Sequence, residues 1–502
     1  MQGGGTRLLV LKVVVALAGA VLMALEILGS RVLAPTYGSS VYVWGSLIST
    51  FLAALALGYA LGGKLADRHP SIGVLSITLS VAAALIVPAV VWGNALLQRL
   101  VTLGWDARWS VLFASVVLFL PASVAMGMVT PFAVRIAIRQ VEAAGSVAGG
   151  YSALSTAGSI LGTLATTFLL MPLLSVASLL IGLSATLVFC ALLLVRRGAS
   201  VTIAALTAAL CGAAVLAHGR IESNEHILFQ KDTPYHHIVV TQLLETRWLR
   251  FDNLSQSAIN LAHPERVIGY QQGLPLALAI RPSIRTVSLI GLGGGDAVRS
   301  LTRLRPDIEI DSVEIDPVVL DVARRFFSYK ESDRLRTTVQ DGRAFLARGD
   351  RRYDLIVLDA FNATGVPFHL TTREFFETLR GRLSADGVFA ANFIGNLMGK
   401  DGRLFWATYQ TIRRQFGQVY VFSRSLAAGS RAISGNVLVF ATVSADPWNL
   451  DAVRRNADAM ATQWKLPGLL DVFAGLIHSP DPPPGTIELT DGYAPVEALQ
   501  HF

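Results

Sequence analysis

Cysteine and charge are both scarce in this chain of 502 residues. The only two cysteines, Cys190 and Cys211, lie in apolar runs, so they build neither a disulfide framework nor a zinc site. Charged residues make up 15% of the sequence and apolar residues 52%, a balance typical of membrane proteins. No group of His, Cys and Asp has the spacing of metal ligands, so we predict no metal site.

Acidic residues are nearly absent from residues 1–217, which hold 4 Asp and Glu against 11 Lys and Arg. Residues 218–502 hold 31 of each sign, so the net charge of +7 belongs entirely to the apolar half. A nucleic-acid partner would require a basic patch on the polar half. We therefore expect no nucleic-acid partner.

Long apolar runs dominate residues 1–217, and about 20 such residues suffice to cross a bilayer. The candidate spans are 8–29, 41–62, 72–92, 109–132, 148–173, 177–195 and 199–217. The first is too long for a signal peptide and lacks its small-residue cleavage site. The pattern predicts a transmembrane domain of about seven helices over residues 1–217, with the lipid bilayer as a partner.

Each basic cluster of residues 1–217 is separated from the next by two predicted spans. The clusters are Arg7/Lys12, Lys64/Arg68, Arg135/Arg139 and Arg196/Arg197. Because positive residues favour the cytoplasmic side, all four clusters and the N-terminus are predicted to be cytoplasmic. Seven spans then place the polar half on the extracytoplasmic side.

The polar half alternates short β-branched strands with helical segments, and from Thr286 onward this alternation is typical of a doubly wound parallel sheet. We predict a small β-subdomain at 218–280 and an α/β Rossmann-like domain at 281–478. Residues 479–502 form a Pro-rich linker and a C-terminal tail.

A glycine-rich turn, 291-GLGGGDA-297, follows the first strand of the predicted Rossmann-like domain. Its glycines permit a tight turn and the close approach of a ligand to the backbone. The next strands end at Glu314, Asp341 and Asp359, where a ribose diol and the exocyclic amine of a base could be held. No phosphate-binding loop accompanies these acids. The pattern therefore favours an adenosyl group with a cationic tail over NAD or ATP.

The polar half resembles the spermidine synthase (polyamine aminopropyltransferase) family, in the bacterial form fused to a seven-span membrane module. The motifs are 233-TPYHHIVV-240, 252-DNLSQS-257, 270-YQ-271, 291-GLGGGDA-297, 313-VEIDP-317, 341-DG-342 and 359-DAFNATGVPFHLTTREFF-376, with 25-LEILGSRVLAPTYGSS-40 and 54-ALALGYALGGKLADR-68 in the apolar half. The resemblance implies a methyltransferase-type Rossmann-like domain behind a small β-subdomain. It also implies a multi-pass protein of the bacterial inner membrane.

The same resemblance implies an enzyme that transfers the aminopropyl group of decarboxylated S-adenosylmethionine to a diamine such as putrescine, giving spermidine and methylthioadenosine. No cofactor is permanently bound, and a homodimer or higher homo-oligomer is expected. Asp359 matches the proton acceptor of the family. The nucleoside side is implied to include His236, Gln256, Gly293, Gly295, Glu314, Asp341 and Gly342. The amine path is implied to include Tyr270, Gln271, Asp296 and Asn362.

Departures from the family pattern leave alternatives open. Asn362 stands where the family commonly has an acid that holds the diamine, so the acceptor amine is undetermined. His236 stands where the family has Gln, and Val366 replaces a pocket proline. One alternative is a methyltransferase that uses intact S-adenosylmethionine, against which Asp296 argues because it would repel that donor's carboxylate. The other is a polyamine- or nucleoside-binding transporter or sensor without turnover.

Overall fold

A computed structural model shows two compact units, Met1–Ser223 with Lys231–Pro234, and Asn224–Gln230 with Tyr235–Phe502. It describes residues 2–38, 40–138, 143–171, 173–194, 226–252, 254–264, 269–360, 366–395, 397, 402–423, 435–444, 446–496 and 499, together with the isolated positions 205, 207, 209 and 212. The first unit is helical, and the second contains a large mixed sheet.

The described helices of the first unit are mostly long and apolar. They are α1 (Gln2–Tyr37), α2 (Val41–Arg68), α3 (Ile72–Val91), α4 (Gly93–Thr102), α5 (Ala107–Gly127), α6 (Val129–Ala137), α7 (Ala144–Leu164, extended by a π-helical turn over Ala165–Leu170) and α8 (Val176–Leu194). Within the described residues, six segments are long and apolar enough to cross a membrane. These six coincide with the first six predicted spans, which are confirmed as apolar helices. The seventh predicted span, 199–217, lies outside the described residues apart from four isolated positions.

Glycines allow the helices of the first unit to pack closely. A Cβ atom at Gly58 in α2 would lie 2.6 Å from the carbonyl oxygen of Val124 in α5. A Cβ atom at Gly162 in α7 would lie 2.3 Å from the carbonyl oxygen of Ala20 in α1. Both distances are shorter than real Cβ contacts, so a larger residue would separate the helices.

The second unit begins with a four-stranded sheet in the order β1-β2-β3-β4. Its strands are β1 (His226–Asp232), β2 (His237–Leu243), β3 (Thr246–Phe251) and β4 (Leu254–Asn260). Ile238, Val240 and Leu249 are buried in one cluster with Val319 and Val322 of a helix in the larger domain. The small sheet is therefore packed on that domain through a shared apolar core.

The large sheet has the order β12-β10-β11-β9-β8-β5-β6-β7. Its strands are β5 (Thr286–Ile290), β6 (Glu309–Glu314), β7 (Leu335–Val339), β8 (Tyr353–Leu358), β9 (Leu383–Gly395), β10 (Gln418–Ser423), β11 (Gly435–Thr442) and β12 (Leu476–His478). The described helices around it are α9 (Leu276–Ile280), α10 (Asp296–Leu304), α11 (Pro317–Phe326), α12 (Gly342–Arg348), α13 (Arg373–Gly381), α14 (Arg403–Gln415), α15 (Leu450–Trp464) and α16 (Pro467–Ala474). This confirms the predicted α/β Rossmann-like, methyltransferase-type fold.

The prediction of a parallel sheet is correct for β5 to β9 and wrong beyond β9. Strand β11 runs antiparallel to both of its neighbours, β9 and β10. Only 11 residues separate Ser423 at the end of β10 from Gly435 at the start of β11. A parallel crossover needs about a dozen residues or more, so a connection of this length favours an antiparallel pair.

The sheet places a crevice at the carboxyl end of β5. This strand pairs in parallel with β6 on one side and with β8 on the other. The chain leaves β5 toward β6 and β7 and then returns to the opposite side through β8. Connections that diverge from one strand in this way open a ligand-binding crevice at its carboxyl end. The glycine turn and the predicted acids follow the strands at this edge.

The end of the chain is held against the large domain. The backbone N–H of Arg373 donates to the carbonyl oxygen of Leu489 at 2.8 Å. The carboxylate of Asp491 accepts two hydrogen bonds from the Arg343 guanidinium, at 2.7 and 2.6 Å, and one from the Thr372 hydroxyl at 2.8 Å. The predicted tail therefore includes residues that tie together α12 and α13.

Replacing Asp491 by Asn is expected to lower the melting temperature at neutral pH by a few degrees. The hydrogen-bonded Arg343 lowers the pKa of Asp491 from 3.8 to about 2. Because the folded state favours the ionised form, this stabilisation is present above about pH 4 and is lost as the pH falls toward 2. The Asp491 side chain is 44% exposed, so solvent screening limits the effect to about 1 kcal/mol or less.

Thermal unfolding of the full chain between pH 2 and pH 7 measures this effect. The matched control is Asp481→Asn, because Asp481 is 91% exposed and pairs only at the surface with Arg413. Equal melting temperatures for the Asp491 variant and the control would contradict the assigned role of Asp491.

Candidate active site

The glycine turn joins β5 to α10 in a backbone conformation that favours glycine. Gly291, Gly293 and Gly295 have φ angles of 96°, 54° and 77°. A Cβ atom at Gly291 would lie 2.2 Å from the carbonyl oxygen of Asp359. Side chains at these positions would therefore strain the backbone, and at Gly291 they would also separate the ends of β5 and β8.

The hydroxyl of Ser257 supports this turn from the small sheet. It accepts a hydrogen bond of 2.8 Å from the backbone N–H of Gly294, and Ser257 is buried. The sequence motifs predict a role for the neighbouring Gln256, which is half-buried, and assign none to Ser257. Strand alternation could have indicated it, since Ser257 lies on the same face of β4 as the core residue Ile259.

Glu314 ends β6 beneath the turn and is 6% exposed. Its Oε2 accepts from the backbone N–H of Leu292 at 3.1 Å, and its Oε1 accepts from the N–H of Asp316 at 3.0 Å. Burial raises the pKa of Glu314 above its ordinary value, and the backbone hydrogen bonds act in the opposite direction. The carboxylate is thus fixed to the turn, with lone pairs left for further donors.

Asp296 opens α10 directly after the turn and is 3% exposed. Its Oδ1 forms an ion pair with Arg299, which also donates to the carbonyl oxygens of Gly294 and Phe327. Burial lowers the pKa of Arg299 to about 10. Oδ2 of Asp296 is buried and has no hydrogen-bond partner among the described residues.

Arg299 weakens the prediction that Asp296 excludes intact S-adenosylmethionine. As an isolated negative charge, which is how it stands in the sequence, Asp296 would repel the carboxylate of intact S-adenosylmethionine. The adjacent guanidinium offsets that charge, so the repulsion is weaker than the sequence suggested. The signal was available, because an Arg three residues after an Asp lies next to it on a helix.

Asp359 follows β8 on the other side of the turn. Its backbone N–H donates to the carbonyl oxygen of Ile290 at 2.8 Å, which ties it to β5. Its Oδ1 accepts from Nδ2 of Asn392 at 3.4 Å. Oδ1 of Asn392 accepts in turn from Nδ2 of Asn436 at 3.0 Å. Asn362, predicted on the amine path, lies outside the described residues.

Asp341 ends the segment after β7 and caps α12. Its Oδ1 accepts from the backbone N–H of Ala344 at 2.8 Å, and its Oδ2 lies 2.9 Å from Nε2 of His369. A Cβ atom at Gly342 would lie 2.3 Å from the Ile290 side chain, so glycine allows α12 to approach β5. The sequence motifs assign no role to His369, which lies 28 residues after Asp341 in the chain.

Two further predicted residues, His236 and Gln271, are buried. His236 is buried and stacks on Phe251, with ring centroids 4.3 Å apart and an interplanar angle of 10°. Gln271 is 4% exposed and lies with Tyr270 in the short 3-10 turn Gly269–Gly273, which packs against α10. The structure thus joins the Glu314 carboxylate to the glycine turn and the Asp359 backbone to Ile290, directly before the turn. Within the described residues, no group of three or more His, Cys, Asp or Glu could hold a metal ion.

Residues 273–420 match the Spermine/spermidine synthase domain. The resemblance of the polar half to the spermidine synthase family is therefore confirmed over this range. The matched range includes the glycine turn, Glu314, Asp341, Asp359 and Asn392, whereas Ser257 and Asn436 lie outside it.

Two relatives that match part of the chain are polyamine aminopropyltransferases. A polyamine aminopropyltransferase of Vibrio vulnificus is 34% identical over 188 residues, which are 37% of this chain and 59% of that protein. The polyamine aminopropyltransferase of Neisseria meningitidis serogroup B is 27% identical over 216 residues, 42% of this chain and 78% of that protein. A crystal structure of a probable spermidine synthase from Corynebacterium glutamicum aligns with a TM-score of 0.43 and 18% identity, over 53% of this chain and 96% of that chain.

Proposed function

We propose that the protein is a membrane-anchored polyamine aminopropyltransferase that moves the aminopropyl group of decarboxylated S-adenosylmethionine to a diamine such as putrescine. The observation that carries this proposal is the placement of two carboxylates on opposite sides of one glycine turn. The Glu314 carboxylate accepts from Leu292 in the turn, and the backbone N–H of Asp359 donates to Ile290, the strand residue directly before the turn. The synthase domain match and the aminopropyltransferase relatives support the same reaction.

The reaction assigns different tasks to the two carboxylates. The neutral amine attacks the propyl carbon bound to the sulfonium, forming a C–N bond. The C–S bond breaks and its electron pair goes to sulfur, which leaves as the thioether of methylthioadenosine. An alkylammonium has a pKa near 10, as Lys does, so the amine must lose a proton. Asp359 attracts the cationic amine and accepts its proton, and holding both reactants together lowers the remaining barrier.

The residues around the glycine turn are assigned to binding the nucleoside of the donor. Glu314 accepts hydrogen bonds from the ribose hydroxyls, and Gly293 and Gly295 let the nucleoside approach the backbone. Asp341 and Gly342 lie beside the adenine, with His236 and Gln256 near the nucleoside. Oδ2 of Asp296 accepts from the donor's ammonium group, since it is the buried oxygen that Arg299 leaves open. Tyr270, Gln271 and Asn362 line the amine path.

One observation favours a second candidate, a methyltransferase that uses intact S-adenosylmethionine. The Asp296–Arg299 pair presents both charges beside the turn, and the tail of the intact donor also carries both. Purified full-length protein assayed with each donor against a series of diamines distinguishes the two. Methylthioadenosine release with a new polyamine supports our proposal. S-adenosylhomocysteine release would establish the second candidate, and donor binding without any turnover would indicate a binding module.

We also propose that the synthase domain is extracytoplasmic, in an inner-membrane protein that forms a homodimer or larger oligomer. The basic clusters, each separated from the next by two predicted spans, support this side.

Reporters fused after Phe502 test this topology. We expect alkaline phosphatase to be active and green fluorescent protein to be dark at this position, because the first works only outside the cytoplasm and the second folds poorly there after export. The opposite pattern would contradict the extracytoplasmic placement and would leave the aminopropyl transfer itself untouched.

Replacing Ser257 by Ala is expected to raise the KM for the aminopropyl donor roughly 5- to 30-fold, with a smaller effect on kcat. The substitution leaves the buried N–H of Gly294 without its acceptor, a loss of about 1–2 kcal/mol. Steady-state kinetics with the donor varied measure the effect. Ser255→Ala is the matched control, because Ser255 is exposed on the same strand. Equal KM values in the two variants would contradict the role of Ser257 in donor binding.

A further inference from the structure

Three neighbouring strands each supply one polar side chain to a chain of hydrogen bonds that ends on Asp359. Strand β8 pairs with β9 so that Leu358 lies opposite Ala391, which brings the next residues, Asp359 and Asn392, side by side. Strand β9 pairs with β11 so that Ile394 lies opposite Asn436. Because residues 392 and 394 share a face of β9, Asn436 points to the same face as Asn392.

Asn392 is 3% exposed in the interior of a strand that is paired on both sides. A buried amide in such a position is destabilising unless its donor and acceptor are both satisfied. Here both ends are used, since Nδ2 donates to Asp359 and Oδ1 accepts from Asn436. An apolar residue would fill the same position at lower cost, so the amide points to a task beyond packing.

The direction of the amide follows from the chemistry of Asp359. An ionised carboxylate only accepts hydrogen bonds, so Nδ2 of Asn392 must face it. Oδ1 of Asn392 then faces Asn436 and needs a donor there, which Nδ2 of Asn436 provides. Asn436 thus fixes the orientation of Asn392, and Asn392 fixes one oxygen of the carboxylate.

The geometry assigns Asn392 as a positioning residue for Asp359, with Asn436 holding the Asn392 amide in the required orientation. By holding one carboxylate oxygen of Asp359, the amide fixes the orientation in which this carboxylate meets the attacking amine. This inference rests on the proposed aminopropyl transfer, in which Asp359 is the proton acceptor. Neither asparagine is required to touch the substrate.

Substitutions at Asn436 give the sharpest test, because the isosteric variant is expected to lose more activity than the apolar variant. In Asn436→Asp the new carboxylate has no donor, so the Asn392 amide turns its Nδ2 toward residue 436 and its oxygen toward Asp359. We expect kcat to fall roughly 10- to 100-fold in this isosteric variant. In Asn436→Leu the Asn392 amide loses support without being reversed, and we expect less than about a 5-fold fall in kcat. A purely structural role would make Leu at least as harmful as Asp.

Substitutions at Asn392 complete the set. Asn392→Leu is expected to lower kcat roughly 10- to 100-fold with the KM for the amine little changed, and Asn392→Gln to restore part of it. In the Asn392→Leu background, Asn436→Leu should cause no further loss, because the two residues act in series. Asn456→Leu is the matched control, since Nδ2 of Asn456 donates to the carbonyl oxygen of Ala279 and Asn456 is partly buried in α15.

Steady-state kinetics on the full-length protein, with melting temperatures for each variant, measure all of these effects. Equal kcat values for Asn436→Asp and Asn436→Leu would overturn the inference. So would an Asn392→Leu variant whose kcat stays within twofold of the parent protein while its melting temperature falls. If the unmodified protein releases no methylthioadenosine, the proposed function fails and the inference fails with it. Methylthioadenosine release with unaffected variants overturns this inference alone.

Discussion

Replacing Asp359 by Asn lowers kcat for aminopropyl transfer by about 10²- to 10⁴-fold, the range expected for the loss of a general base. The amide keeps the shape of the side chain and its hydrogen-bonding capacity toward Asn392, so we expect the variant to fold normally. It carries no negative charge to attract the alkylammonium and cannot accept the amine's proton. The effect should appear in kcat and in kcat/KM, because without this proton acceptor the amine stays a cation that cannot attack the propyl carbon.

A second aspartate on the same strand provides the control for this prediction. Asp354 lies near the start of β8, at the end opposite Asp359. There it pairs with Arg281 at 3.2 Å and accepts from the backbone N–H groups of Arg285 and Thr286. Asp354→Asn is therefore expected to lower the melting temperature while kcat stays near that of the parent protein. An Asp359→Asn variant that keeps more than half of the parent kcat would refute the proton-acceptor role.

Replacing Glu314 by Gln is expected to weaken methylthioadenosine binding roughly 100-fold, which corresponds to about 2.7 kcal/mol. Both Glu314 oxygens accept backbone N–H groups, so an amide must place its own N–H against that of Leu292 or Asp316. The substitution also removes an acceptor for the ribose. Two buried donors lose their partner in one change, and that explains the size of the expected loss.

Isothermal titration with methylthioadenosine measures this effect and also its dependence on pH. Burial raises the pKa of Glu314, and ribose binding needs the ionised acceptor. Affinity should therefore rise with pH through a range higher than that of an ordinary glutamate. Glu309→Gln is the control, since Glu309 lies at the other end of β6 and pairs at the surface with Arg351. Unchanged affinity for methylthioadenosine in the Glu314 variant would contradict the assignment of Glu314 as the ribose-binding residue.

The helices, the strands and the acidic residues of the site were predictable because each is indicated by a pattern of neighbouring residues in the sequence. Apolar length identified six helices, and the alternation of strands and helices identified the large sheet. Glu314, Asp341 and Asp359 follow consecutive parallel strands, whose carboxyl ends meet at one edge of a sheet. Even the antiparallel β11 was predictable in principle, because 11 residues between β10 and β11 are too few for a parallel crossover.

The supporting residues were missed because their partners are distant in the chain. Ser257 contacts a residue 37 positions away, Asn392 one 33 positions away, and Asn436 one 44 positions away. Ser and Asn are ordinary strand residues in sequence, and only the pairing of strands shows which face they occupy. Arg299 is different, since its partner Asp296 lies three residues before it on the same helix. Its effect on donor choice became visible only when its burial beside the glycine turn was known.

The most direct test of aminopropyl transfer follows two labels on one donor. Decarboxylated S-adenosylmethionine carrying ¹⁴C in the methyl group and ³H in the propyl chain is incubated with putrescine and the purified full-length protein. The proposed reaction moves ³H into the polyamine product and leaves ¹⁴C in methylthioadenosine. Transfer of ¹⁴C to an acceptor, with ³H remaining on the nucleoside, would contradict it.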